Sequence, residues 1–199
     1  MKSLVLASGN PGKRDEIQAL LAPLGVKVVT QVELGLVEAE EPHGTFLENA
    51  LAKARHASFA TRLPALADDS GLCVDALGGE PGVHSAYYAG HEGSREERDA
   101  RNNAKLLAAL EGESDRRAHY VCVMVLMRGP GDTAPLVAEA TWEGSIALAP
   151  RGRNGFGYDP LFIPQGSERT SAELDSEDKN ASSHRGQALR KMLELLKQS

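Results

Sequence analysis

The sequence predicts an α/β fold built on a mixed β-sheet flanked by helices, and three patterns carry that expectation. The chain opens as strand, helix, strand; helices with recognisable start signals punctuate it; and two long apolar runs are joined by a glycine–proline turn. Strand–helix–strand order favours parallel pairs. A tight connection between two strands makes an antiparallel hairpin, so both pairings are expected in one sheet.

The elements follow in order. Lys2 to Ala7 is short, Val/Leu-rich and closed by a glycine turn, as a buried strand is. Gly12 to Leu21 has helical spacing through Ile17, Leu20 and Leu21, and Val26 to Thr30 is a second strand. Thr45-Phe46-Leu47-Glu48 is a capping box that starts a helix running to about residue 60. Its apolar face is expected to be Phe46, Leu47, Ala50, Leu51, Ala54 and Ala57, with Lys53 at the edge, one turn beyond Asn49, where a lysine ordinarily snorkels to water.

Pro64 to Ala67 reads as a strand ending in the turn-forming run Asp68-Asp69-Ser70-Gly71, with Leu72 to Asp75 resuming after a bend. A charged helix, Ser94 to Leu110, carries Ala104, Leu107, Ala108 and Leu110 as its expected inner stripe. Strands Ala118 to Met127 and Leu136 to Ala147 flank Gly129-Pro130-Gly131. Residues 151–160 are glycine-rich and irregular, Thr170 to Glu173 is a second capping box, and a last helix runs from near Ser183 to Lys197.

A chain of 199 residues, 41% hydrophobic, is long enough for one domain that buries roughly 70% of its unfolded surface. Plentiful apolar residues exclude disorder, and a net charge of -6 argues against a nucleic-acid partner. Cys73 and Cys122 lie far apart without C-x-x-C or Cys/His ligand spacing, which excludes zinc and redox motifs and suits two reduced, buried thiols. The first residues are too few for a signal sequence, and Val121 to Met127 is too short to span ~30 Å of hydrocarbon. The expectation is a soluble, cytoplasmic protein with no membrane partner. His43, His56, His84, His91 and His119 show neither metal nor triad spacing and are read as structural or exposed.

Four segments bear chemistry. In Ser8-Gly9-Asn10-Pro11-Gly12-Lys13, Asn10 suits an N-cap and Pro11 the first helical position, so backbone N–H groups, the helix dipole and Lys13 converge as an anion site. The spacing is not that of a Walker A loop, and an ordinary βα turn with a solvated lysine has the same residues. The acids Glu38, Glu40, Glu41, Asp68 and Asp69 would suit Mg²⁺ beside a phosphate site, as they would a solvated loop and a turn. If extended, Asp68 and Asp69 point to opposite faces. In Asn154 to Pro160, Phe156 between two glycines could stack a flat base, or Phe156 and Tyr158 could plug the core. Lys179, His184 and Arg185 gather at the start of the last helix, where cations oppose the helix dipole. The donors Lys179 and Arg185 favour a purine with a 6-keto oxygen over adenine, the alternative being salt bridges to Glu173, Asp175 or Glu177.

With these segments in hand, the chain resembles the inosine triphosphate pyrophosphatase family through SGNPGK at 8–13, FLENALAKA at 46–54, LADDSGL at 66–72, GFGYDP at 155–160 and SHRGQAL at 183–189. The motifs occur in the family's order along nearly the whole chain; Tyr87 stands where many relatives have an arginine. The resemblance implies a long mixed sheet flooring a cleft between two lobes of a single domain, 1–199, and a homodimer. It also implies Mg²⁺-dependent hydrolysis of inosine, deoxyinosine and xanthosine triphosphates to monophosphate and pyrophosphate. By motif match, Ser8, Gly9, Asn10, Pro11, Gly12, Lys13 and Lys53 would hold the triphosphate. Asp69 would be the general base and a metal ligand, with Glu41 or Glu40 as the second carboxylate. Ser70, Phe156, Gly157, Tyr158, Asp159, Lys179, His184 and Arg185 would form the substrate pocket.

Overall fold

The computed structural model describes residues 3–198. The elements are β1 (Ser3–Leu6), α1 (Pro11–Leu21), β2 (Lys27–Thr30), α2 (Phe46–Thr61), β3 (Ala65–Val74), α3 (Arg95–Ala109), β4 (Arg117–Met127), β5 (Leu136–Ile146), β6 (Phe162–Pro164), α4 (Ser176–Ser182) and α5 (His184–Gln198). One sheet holds all six strands in the order β2-β1-β3-β4-β5-β6. Val5 of β1 pairs in parallel with Val29 of β2 and Ala65 of β3, while β5 and β6 are antiparallel. The mixed α/β class expected from the sequence therefore holds. At the open end of the β4–β5 hairpin, Ile146 N–H donates to the Arg116 carbonyl at 2.8 Å.

The chain divides into two compact units, each with its own apolar core. The first comprises residues up to Asp69, Cys122–Ala140 and those from Arg185 onward. Leu4, Leu6, Ile17, Leu66, Met124, Leu189 and Met192 fill its core. The second comprises Ser70–Val121 and Thr141–His184, packed around Leu72, Leu106, Tyr120, Trp142, Tyr158 and Phe162. Truncating a fully buried leucine such as Leu66 or Leu106 to alanine would cost about 2–5 kcal/mol through lost burial and the residual cavity.

Local signals place most boundaries within a residue or two. Lys2, given to the first strand from sequence, lies outside the described residues. Four expectations are corrected. First, Asp68-Asp69-Ser70-Gly71 is not a turn but lies inside the continuous strand β3, where tertiary pairing overrides turn propensity. Secondly, Leu47 on α2 is exposed, and the buried face is instead Asn49, Ala50, Lys53, Ala54, Ala57 and Ser58. Glu48 also accepts from the Thr45 hydroxyl rather than reaching a backbone N–H. Thirdly, α3 buries Asn102, Asn103 and Leu106 rather than Ala104 and Ala108, because both asparagines bond neighbouring loop backbone. Fourthly, Cys73 is only half-buried, whereas burial pushes the Cys122 thiol up to about 12. Both are free thiols. No helix among the described residues is long and apolar enough to cross a membrane.

Candidate active site

The first unit builds its site where β1 meets α1. Asn10 is the N-cap: its Oδ1 accepts from Lys13 N–H at 3.1 Å, and Pro11 follows at the first helical position. Ser8 Oγ accepts from Asn10 N–H at 3.2 Å. Gly9 N–H donates to the Glu38 carboxylate at 2.8 Å, so one of the loop's backbone donors already holds an anionic group. That is the behaviour expected of a helix-start anion site.

Strand β3 is the centre of this unit's chemistry. Nearly all of it is buried, which for a central strand calls for an unbroken apolar run. Instead it contains two adjacent carboxylates, and buried charges survive only when paired. Strand alternation sends them to different partners. Asp68 Oδ2 binds Lys13 Nζ at 2.9 Å and Arg185 Nε at 3.3 Å, and Arg185 also pairs with Glu16. Asp69 accepts from Lys53 Nζ at 2.9 Å and from Asn49 Nδ2 at 3.3 Å. Asn49 and Lys53 lie one turn apart on α2, so the helix delivers both to one carboxylate. The lysine expected to snorkel is 6% exposed, because Asp69 and Glu41 compensate its burial.

Burial opposes the ionisation of Asp68, but Lys13, Arg185 and Lys53 outweigh it and hold the carboxyl well below the usual range. Burial dominates at Asp69, lifting its proton affinity above that of an ordinary aspartate against the pull of Lys53 and Lys13. Burial alone would depress Lys53; the Asp69, Glu41 and Asp68 carboxylates reverse this and keep it charged.

A divalent cation fits this donor set. The carboxylates of Asp69 and Glu41 converge on one ammonium, at 2.9 and 3.0 Å, so both lie near one cationic group. Both candidate glutamates are exposed, and it is Glu41 that joins the ion-pair cluster. Among the described residues no three His, Cys, Asp or Glu side chains gather as a complete metal cage. Two carboxylates completed by phosphate oxygens and water suit Mg²⁺ better than a metal needing a full protein shell.

The second unit arranges residues 152–160 around one carboxylate. Asp159 accepts from Phe156 N–H at 2.8 Å, Ser171 Oγ at 2.9 Å and Lys179 Nζ at 2.7 Å. Gly155 has φ 74°, and a Cβ there would lie 2.0 Å from Asp159 Oδ2, so only glycine fits. Tyr158 plugs the core and donates its hydroxyl to the Ser85 carbonyl at 2.9 Å. Phe156 is half-buried, with the Arg95 guanidinium 4.5 Å and Lys179 Nζ 4.8 Å from its ring centroid. The next residue is clamped by α3: Gly157 N–H donates to Asp99 at 2.8 Å, and Asn103 Nδ2 donates to the Gly157 carbonyl at 2.8 Å. His184 is buried and stacks on Tyr120, centroids 4.5 Å apart and planes 3° apart.

The predicted residues thus fall into two sets. Ser8 to Lys13, Lys53, Asp69, Glu41 and Arg185 belong to the first unit, with Arg185 bound to Glu16 and Asp68. Ser70, Phe156 to Asp159, Lys179 and His184 belong to the second, where Lys179 pairs with Asp159. The sequence reading missed Asn49, Glu16 and the α3 face. Residues 95, 99 and 103 are polar at i, i+4, i+8, and that spacing was the available signal.

A family model described as the Ham1 family matches residues 4–195. The chain belongs to the Ham1 family. It is 57% identical over 199 residues to a dITP/XTP pyrophosphatase from Nitrosomonas europaea, covering 100% of this chain and 96% of that one. A dITP/XTP pyrophosphatase from Ralstonia nicotianae is also 57% identical, covering 99% and 98%. The fold matches a HAM1 protein from Coxiella burnetii with a TM-score of 0.89 at 49% identity over 100% of both chains. It matches the Staphylococcus aureus Ham1 protein with a TM-score of 0.85 at 39% identity, over 98% of each.

Proposed function

We propose that this Ham1 chain is a hydrolase that cleaves non-standard purine nucleoside triphosphates, among them those of inosine, deoxyinosine and xanthosine, to the monophosphate and pyrophosphate. The Asp69–Lys53–Glu41 cluster is the observation that carries the reading: a buried carboxylate with raised proton affinity, next to a lysine held charged. The relatives named dITP/XTP pyrophosphatase support the substrate class.

In this reading the loop from Ser8 to Lys13, together with Lys53, receives the triphosphate through backbone donors and ammonium charge. Asp69 and Glu41 hold Mg²⁺, which when bound neutralises phosphate charge and completes the electrostatic set that supplies most of the rate in such transfers. Asp69 orients the attacking water and takes its proton. Asp68 positions Lys13 from below. Lys179, Phe156, His184 and their neighbours receive the base, and Arg185, tied to Asp68, acts on the phosphate end. The chain works as one domain, 1–199, as a homodimer and in a reducing cytoplasm, the last in keeping with its two free thiols.

The test is Asp69→Asn. Turnover should fall by roughly 10³-fold with the circular dichroism spectrum unchanged, because an amide can neither accept the proton nor bind the metal as well. Turnover near that of the parent would remove Asp69 from the mechanism. Chelation with EDTA should abolish turnover and Mg²⁺ restore it. Pyrophosphate should be released with no orthophosphate; orthophosphate alone would place attack at the terminal phosphorus.

A further inference from the structure

Asp69 comes from a strand and Glu41 from a loop, so their separation depends on what holds that loop. Residues 36–43 form no regular element, and Glu40, Glu41, Pro42 and His43 are all exposed. The Glu41–Lys53 ion pair is a poor anchor by itself, because the Glu41 side chain is 40% exposed and solvent screens such a pair. Asn49 is a firmer one. It lies at the first turn of α2 and is 1% exposed. Its Oδ1 accepts from His43 N–H at 3.1 Å, and its Nδ2 donates to the His43 carbonyl at 3.2 Å. One side-chain amide thus takes both backbone groups of one loop residue, as a paired strand does. Nδ2 also donates to Asp69 Oδ2 at 3.3 Å, while Lys53 binds Asp69 Oδ1 at 2.9 Å. Each oxygen of the Asp69 carboxylate therefore has its own donor from α2. This use of two N–H donors and a carbonyl acceptor together needs a side-chain amide.

We propose that Asn49 is a positioning residue that sets the separation of the Asp69 and Glu41 carboxylates, clasping the loop backbone at His43 with the same amide that orients Asp69. This rests on the reading of those two acids as the pair that acts at the phosphate end. Asn49 touches no reacting atom and works through the two carboxylates. Glu41 stands two residues before His43, so a loop released at His43 frees Glu41 while Asp69 stays fixed in β3. Helix capping does not account for the arrangement. The Thr45 hydroxyl already caps α2 by accepting from Glu48 N–H at 3.2 Å, and a cap has no use for a donor aimed at a strand. No bond is made or broken by Asn49; it fixes where two acids stand.

The test compares the parent, Asn49→Ser and Asn49→Gln as full-length chains, by steady-state kinetics with deoxyinosine triphosphate and by amide hydrogen exchange of the free protein. Serine is too short to reach either partner, whereas glutamine keeps the amide on a longer stem. Asn49→Ser should lower kcat about 30- to 100-fold, the effect of an ångström-scale misplacement, with KM changed less than about threefold. Exchange at the His43 amide should quicken about tenfold, while that of Ala54 within α2 keeps the parent's rate. Asn49→Gln should lie between the parent and Asn49→Ser on both measures. Should Asn49→Ser fail to fold, Asn49→Gln carries the same test. Parent-like kcat, loss of kcat without faster His43 exchange, faster exchange without loss of kcat, or a rise in KM with kcat held would each overturn the proposal. Asp69→Asn separates it from the underlying reading. If that variant keeps its turnover, the reading falls and takes the proposal with it; if it loses turnover while Asn49→Ser does not, only the positioning role fails.

Discussion

The two units hold their functional side chains by different physics. In the first, Lys13, Lys53 and Arg185 are set against Glu16, Glu41, Asp68 and Asp69, three cations against four carboxylates, in a network that is buried except at Glu41 and partly buried at Lys13 and Glu16. In the second, the buried ion pair Lys179–Asp159 stands among ring stacks and hydrogen bonds to backbone. A network with one carboxylate in excess has capacity for a further cation, and its donors suit a polyanion. A set of ring faces with fixed edges selects by outline and donor pattern. On the proposed function, rate would lie with the first unit and choice of base with the second.

Three substitutions sharpen or break that contrast, beyond the tests given above. The largest effect is expected from Lys53→Met, which leaves Asp69 and Glu41 without their shared counter-ion. Turnover should drop by roughly 10³-fold, with the ratios among xanthosine, deoxyinosine and deoxyguanosine triphosphates unchanged. A shift in those ratios would mean that charge and selection are not separable. A smaller effect is expected from Tyr120→Leu, which removes the ring lying parallel to His184. KM should rise about three- to tenfold with kcat held, and Tyr120→Phe should restore it, since the stack needs the ring alone. A fall in kcat instead would assign His184 to the chemistry.

The smallest effect concerns pH. Glu173 caps Thr170, and the backbone bond from Thr170 N–H, first among several causes, holds its carboxyl below its ordinary value of 4.5. A depressed carboxyl stabilises the fold above the unfolded-state value and loses that contribution as pH falls through the lower folded-state value. Thermal melts of the parent and Glu173→Gln should therefore differ by a few degrees at neutral pH and converge as pH drops below about 4.5. A gap that stays constant would mean that the cap works through its hydroxyl and shape rather than charge.

What the sequence made legible is what local physics decides. Asn10 and Pro11 start α1, Ser94 starts α3 with a complete capping box, and Thr170 with Glu173 closes the turn after residue 169, because each motif satisfies donors within three residues. The misreadings share a cause. Asp68-Asp69-Ser70-Gly71 has every mark of a turn, and the partners that hold it extended, Lys13, Lys53 and Arg185, are remote in sequence. Lys53 looks solvated until Glu41 and Asp69 are placed beside it. The inner face of α3 was sought among alanines and leucines, whereas two asparagines bury themselves by bonding loop backbone. The strand β6 and the helix α4, of three and seven residues, are too short for periodicity to register.

The chain passes between its units four times, at Asp69–Ser70, Val121–Cys122, Ala140–Thr141 and His184–Arg185. Three of these passages fall within β3, β4 and β5, and the fourth at the first peptide of α5. No loop separates the halves, so no scissile linker exists at which either could be excised, grafted or recombined as a cassette. A change in one half is made one side chain at a time, within strands that the other half also uses.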